Sequence, residues 1–179
     1  MGGAIKMANT KTEKLLNQQI NKELYSAYLY LAMSSYFQAK NLAGFANWFY
    51  VQAQEERDHA MIIYNYMHKV NAPVQLTAID MPEGEFKSVA EVLDKTLEHE
   101  KYVTSLIYAI MDAANEEHDY KAVQFLQWFV TEQTEEEENA TGLIEKLKIA
   151  GTGEGGLYLM DKDMALRVYT QAAPLAGNA

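Results

Sequence analysis

Cysteine is absent from the 179 residues. That excludes disulfides, iron–sulfur clusters and cysteine-based zinc sites, and it fits a cytoplasmic protein. Proline is scarce: of the 3 prolines, Pro73 and Pro82 fall close together, so long stretches are free of helix breakers. Apolar residues make up 49% of the chain, yet no run is long enough to cross a bilayer, and Met1–Thr12 contains no apolar signal-peptide core. Basic residues are in deficit, leaving a net charge of −10. A basic surface for nucleic acid is therefore not expected, and cations would be attracted. The length suffices for one domain with a sizeable core.

Hydrophobic periodicity divides the chain into helices. Residues 1–9 read as a loose lead-in. Thr10 to about Ala39 carries Leu16, Ile20, Ala27, Tyr30 and Phe37 on one face. Lys40, Asn41 and Gly44 mark a short break before a second helix, Leu42 to about Val70. Both clustered prolines and Gly84 lie in Asn71–Lys87, which reads as a long connection. Ser88 with Glu91 forms a capping-box pattern opening a third helix to about Glu117. Asp119 can cap a fourth, Tyr120 to about Lys148. Gly151–Gly156 reads as a hinge, Leu157–Tyr169 as a short fifth helix, and the tail from Ala172 as frayed. Four helices of roughly 28 residues, ~42 Å each, predict an all-α four-helix bundle. The short turns make the first and last pairs antiparallel hairpins. The connection of about 16 residues, reaching ~53 Å when extended, can run the length of the bundle.

Polar residues interrupt the apolar stripes at one level. Glu56 and His59 form the only Glu-x-x-His and share a helix face with Phe45, Phe49, Ile63, Met67 and Val70. Glu23 stands among Leu16, Ile20, Ala27 and Tyr30; Glu100 among Val89, Leu93, Leu97, Val103, Ile107 and Met111. Gln133 and Glu136 fall among Leu126, Phe129, Ala140, Ile144 and Leu147. Each intrusion is near the middle of its helix, so in an up-down bundle Glu23, Glu56, His59, Glu100 and Glu136 should converge. One such Glu is ordinarily a boundary residue whose head reaches water. Four carboxylates meeting in a core would repel and protonate unless cations neutralise them. Oxygen ligands with a single His suit iron or manganese, with Glu56 as the bridge, His59 orienting one metal, and Glu100 and Glu136 holding the other. Tyr30 is either a core tyrosine with a bonded hydroxyl or a donor beside the metals. The run Glu135–Glu138 is split by the helix: only Glu136 faces the centre, while Glu137 and Glu138 read as solvated. Glu55, Glu132 and Glu135 lie on flanks, where they face solvent or form a third, more exposed cation site. His68, His99 and His118 read as surface or packing residues, and Met61, Met67 and Met111 as core fillers.

With these residues in place the chain resembles the prokaryotic non-haem ferritins, from about Thr10 to Tyr169. The resemblance is carried by Asn21–Tyr30 (NKELYSAYLY), Glu55–Ala60 (EERDHA), His99–Lys101 (HEK) and Trp128–Gln133 (WFVTEQ). It implies a single ferritin-like domain over 1–179, with the bundle at about 10–148 and a fifth helix lining fourfold axes. It further implies an iron-storage cage of 24 subunits that oxidises Fe(II) with O₂ at a di-iron centre in each bundle. By the family's pattern Glu23, Glu56 and His59 would bind the first iron, and Glu56, Glu100 and Glu136 the second, with Gln133 beside them. Glu55, Glu132, Glu135 and Glu136 match the family's third iron site.

Relatives are separated by single positions. Bacterioferritins repeat Glu-x-x-His on the fourth helix, where this chain has Gln133 and Glu136, and place a haem-ligand Met where Arg57 stands. No haem is expected. Rubrerythrins add a cysteine-rich domain that a chain without cysteine lacks. Animal ferritins line threefold pores with acids at positions occupied here by Val123 and Leu126, so an acidic pore of that type is not implied. Two other readings remain at this stage. One is a small di-metal oxidase or manganese catalase on the same bundle; the other is a purely structural bundle with solvated acids.

Overall fold

A computed structural model describes residues 10–176. The lead-in at 1–9, and with it most of the Met1–Thr12 stretch read for a signal-peptide core, lies outside that range. Six helices follow one another: α1 (Lys11–Ala39), α2 (Ala43–Lys69), α3 (Val89–Glu116), α4 (Tyr120–Ala150), α5 (Glu154–Met164) and α6 (Ala173–Ala176). No strand occurs among the described residues, and none of their helices is long and apolar enough to cross a membrane.

Local chemistry sets the helix ends. Thr10 and Glu13 form a reciprocal capping box at α1. At α3 only half of the expected box is present: Ser88 accepts from the Glu91 amide, but Glu91 turns its carboxylate to the Lys87 amide instead of Ser88. Asp119 caps α4 through the Ala122 amide at 3.1 Å. Leu42 offers α2 no side-chain cap, and α5 supplies one. Asp161 Oδ1 accepts from the Gly44 and Phe45 amides at 2.8 and 3.0 Å, placing an acid at the positive end of α2. This docking needs a glycine, because a Cβ on residue 44 would stand 1.7 Å from the Asp161 carbonyl oxygen.

The C-terminal ends of α1, α2 and α3 share one stop. Asn41, Asn71 and His118 adopt φ of 58°, 57° and 55°. The amide after each returns to the carbonyl five residues back: Leu42 to Phe37, Ala72 to Met67, Asp119 to Ala114. This is the Schellman arrangement, and asparagine tolerates the left-handed conformation better than most residues. His118, read as surface or packing, is thus a turn residue.

Residues 71–87 run without regular structure along α1, as the crossover requires. Asn17 accepts from the Gln75 amide and donates to the Pro73 carbonyl; Asn21 donates to Thr77 and to the Ala78 carbonyl. These side-chain bonds replace the ladder an extended segment lacks.

The fifth helix departs from expectation. It begins at Glu154, three residues before Leu157, and ends at Met164, well before Tyr169. Gly156 permits the early start: a Cβ there would meet the Ala150 carbonyl oxygen at 2.1 Å. The early end follows from competing partners, since Arg167 is drawn to Glu55 and Gln52 and Tyr169 to Asp58. Nor is the tail frayed at Ala172. The Ala172 amide donates to Asp58, and Leu175 packs against the core.

Buried side chains form two apolar clusters, one at each end of the bundle. One gathers Tyr30, Met33, Phe37, Phe45, Phe49, Leu93 and Leu147 with Met160 and Met164 of α5. The other gathers Leu16, Ile20, Ile63, Met67, Ile107, Leu126 and Phe129. Several residues placed on the stripes from periodicity (Ala27, Val70, Leu97, Met111 and Ile144) are only half-buried, and Leu143 takes the core position beside Ile144. Between the clusters lies a level where the buried side chains are Glu23, Glu56, His59, Glu100, Gln133 and Glu136.

Candidate metal centre

All four long helices contribute to this level. Their side chains face inward by the same 3.6-residue period that turns their neighbours into the core. Glu23 is fully buried; Glu56, His59, Glu100, Gln133 and Glu136 are at most 4% exposed. Carboxylates are almost never buried so completely without partners.

Two groups close tightly. Ligand atoms of Glu23, Glu56 and His59 lie within 4.8 Å of one another, as do those of His59, Glu132 and Glu136. His59 Nδ1 is 3.7 Å from Glu56, and its Nε2 is 3.6 Å from Glu132. Glu100 faces the same centre from α3, close enough to Glu56 and Glu136 that both charges act on it.

Neutral donors hold the carboxylates. Gln19 donates to Glu23 Oε1 at 2.9 Å. Gln52 donates to Glu56 at 3.2 Å and to Glu136 at 2.8 Å. Tyr30 donates its hydroxyl to Glu100, and Gln133 reaches the other Glu100 oxygen at 3.4 Å. Gln133 also points to Thr104, whose hydroxyl donates to Glu137 at 2.6 Å. Glu137 is therefore half-buried and bonded inward instead of solvated, whereas Glu138 is exposed as expected.

Gln52, Gln19 and Thr104 were not singled out by sequence reasoning. A signal existed: each stands four residues from a ligand carboxylate on its own helix, the spacing at which side chains meet. His99 packs, its Nε2 2.8 Å from the Ser26 hydroxyl and its ring edge-on to Tyr30, and burial lowers its pKa. His68 lies exposed against Tyr64.

Electrostatics single out Glu56. Burial raises Glu23 to about 8, with the Glu56 charge adding to the effect. Glu136 rises to about 8 for the same two reasons, and Glu100 is pushed well up by burial, then by Glu56 and Glu136. Burial acts the same way on Glu56, but the His59 bond and charge, with His99 and Gln52, outweigh it and hold this carboxylate below its usual range. On His59, burial is outweighed in turn by Glu132, Glu56 and Glu23, which push the imidazole pKa up. Burial and mutual repulsion thus favour the neutral form of Glu23, Glu100 and Glu136, while the His59 contact favours the charged form of Glu56. Even so, Glu23 Oε2 and His59 Nε2 are buried without a hydrogen-bond partner. Leaving such atoms unpaired is costly. Once their protons are displaced, the carboxylate and imidazole atoms of Glu23, Glu56 and His59, within 4.8 Å of one another, offer lone pairs that fit divalent iron or manganese.

The flanking acids divide. Glu132 is half-buried and reaches His59, whereas Glu55 is paired with Arg167 and Glu135 is exposed. Neither Glu55 nor Glu135 joins a close ligand group among the described residues.

The family described as "Ferritin-like domain" matches residues 13–150, which spans α1 to α4 and every residue of this level. This chain belongs to the ferritin-like family. It is 40% identical over 156 residues to a bacterial non-heme ferritin of Campylobacter jejuni, covering 87% of this chain and 93% of that one. It is 37% identical over 166 residues to one of Staphylococcus saprophyticus, covering 93% and 99%. Among solved structures, an engineered closed form of the Archaeoglobus fulgidus ferritin superposes with a TM-score of 0.88 at 41% identity, over 92% of this chain and all of the other. The open-pore ferritin of that archaeon gives 0.87 at 41% identity, over 89% and 98%. The four-helix bundle with a long crossover and a short C-terminal helix is the architecture expected from periodicity, and its ferritin-like character is the one the resemblance implies.

Proposed function

We propose that this ferritin stores iron, oxidising Fe(II) with O₂ at the bundle centre and depositing the ferric product inside a cage of 24 subunits in the cytoplasm. The observation that carries the reading is the convergence of Glu23, Glu56, Glu100 and Glu136 from four different helices on one buried level, with His59 beside them and two of their atoms unpaired. Two Fe(II) ions are the substrate. Glu23 and His59 hold one and Glu100 and Glu136 the other, with Glu56 between them. Each iron gives one electron to O₂ on becoming Fe(III), and carboxylate oxygens favour the more highly charged product. Tyr30 and Gln133 fix Glu100, while Gln52 fixes Glu56 and Glu136. Glu132, with Glu55 and Glu135 outside it, offers a third iron position on the flank. The position of a haem-ligand Met is taken by the exposed Arg57, so the reading includes no haem.

Glu56→Ala combined with His59→Ala tests the assignment. Stopped-flow absorbance of the ferric product should lose its fast phase while circular dichroism stays helical. A surviving fast phase would place the oxidation elsewhere.

A further inference from the structure

The segment after α5 is built as a strap along α2, and it brings a fixed positive charge to the flank of the metal centre. Asn47 receives its start through the Arg167 carbonyl at 2.9 Å. Tyr169 and the Ala172 amide then bond Asp58, which is only 2% exposed, at 2.7 and 3.2 Å. Leu175 finishes it, packed half-buried against the apolar cluster that contains Ile62. Arg167 points inward between these anchors. Its guanidinium lies over Trp48 at 4.2 Å, donates to Gln52 Oε1 at 2.8 Å and pairs with Glu55. Both partners are largely removed from water, at 19% and 21% exposure, so the pair is screened far less than a surface ion pair.

Two consequences follow. By holding the Gln52 oxygen, Arg167 settles which way that amide points, and so aims its NH₂ at Glu56 and Glu136. It also occupies the outermost carboxylate of the third iron position with a cation of the chain's own. We infer that Arg167 is the resident counter-ion of Glu55, with which a third iron competes, so that the flank site binds more weakly than the central pair. Iron there displaces a tethered guanidinium, and the guanidinium returns when iron leaves. The inference rests on the flank-site reading given above.

Anaerobic calorimetric titration of the assembled, iron-free protein with Zn(II) separates the possibilities, since Zn(II) is not oxidised. The unaltered protein should show two tight events per subunit and a weaker third. Arg167→Gln should tighten the third on the order of tenfold or more, the worth of a charge-assisted contact. Arg167→Lys, which keeps the charge, should tighten it much less. Tyr169→Phe, which loosens the strap at Asp58 but leaves the guanidinium, should leave it where it was. A third event unchanged or weakened in Arg167→Gln would overturn the inference, as would equal tightening in Tyr169→Phe. Absence of the two tight events from the unaltered protein would overturn the central reading instead.

Discussion

Gln52 of α2 donates one amide group to both Glu56 of its own helix, at 3.2 Å, and Glu136 of α4, at 2.8 Å. It is the cross-brace between the central carboxylate and the opposite helix pair. Replacing it with Leu keeps the volume and removes both bonds. The metal-free protein should lose about 1–3 kcal/mol of stability, because buried carboxyl oxygens are left without donors. Part of that loss should return on adding Zn(II), which satisfies them. Thermal melts with and without Zn(II) measure both effects.

Tyr30 makes the corresponding contact to Glu100 from α1. Tyr30→Phe retains the ring that packs on Phe49 and removes only the hydroxyl. Groups that orient metal ligands typically cost ~10–100-fold when removed. The initial rate of Fe(II) oxidation should fall by that order, with helicity unchanged by circular dichroism.

Protons and metal compete for the same atoms. Glu23 and Glu136 rise from the usual 4.5 to about 8 in the folded protein. Between these values the folded chain holds protons that the unfolded chain has released. The stabilisation from these two groups is therefore full below about 4.5 and is lost as pH rises through about 8. Metal binding must expel the same protons, so affinity should increase with pH up to about 8. Zn(II) calorimetry near neutral pH in two buffers of different protonation enthalpy should show net proton release, diminishing above about pH 9. Identical heats in both buffers would contradict it.

Gly44 lets α5 sit on the start of α2. In Gly44→Ala the new Cβ collides with the Asp161 backbone, and the Asp161 cap is lost with it. Overpacking of this kind costs typically about 1–3 kcal/mol, which corresponds to a drop in melting temperature of roughly 2–12 °C. Limited proteolysis should cut first at Gly151–Gly153, where α5 joins the bundle, with the unaltered protein resisting.

The helices and the polar residues on their inner faces could be read from the chain because both obey one period. A single glutamate on an apolar stripe can snorkel to water, but intrusions at the same level of four helices point to one centre, and that coincidence places Glu23, Glu56, His59, Glu100, Gln133 and Glu136. Contacts between distant segments without a period could not be read in this way. Asp161 capping α2, Arg167 on Glu55, and Tyr169 on Asp58 link residues more than 100 positions apart. The fifth helix was misplaced for a related reason. Glycine propensity argues against Gly155 and Gly156 in a helix, and the space gained beside Ala150 overrides it. Glu137 was assigned to water because its angle is marginal, and only the position of Thr104 on α3 decides otherwise.

Iron storage depends on the buried carboxylates. Aerobic addition of excess Fe(II), followed by size-exclusion chromatography with iron detection, tests it most directly. Iron on the order of hundreds of atoms per assembly, far more than the pair of metals a di-metal bundle holds, should co-elute with a very large hollow particle. A small oligomer carrying about two metals per chain and no mineral would contradict it.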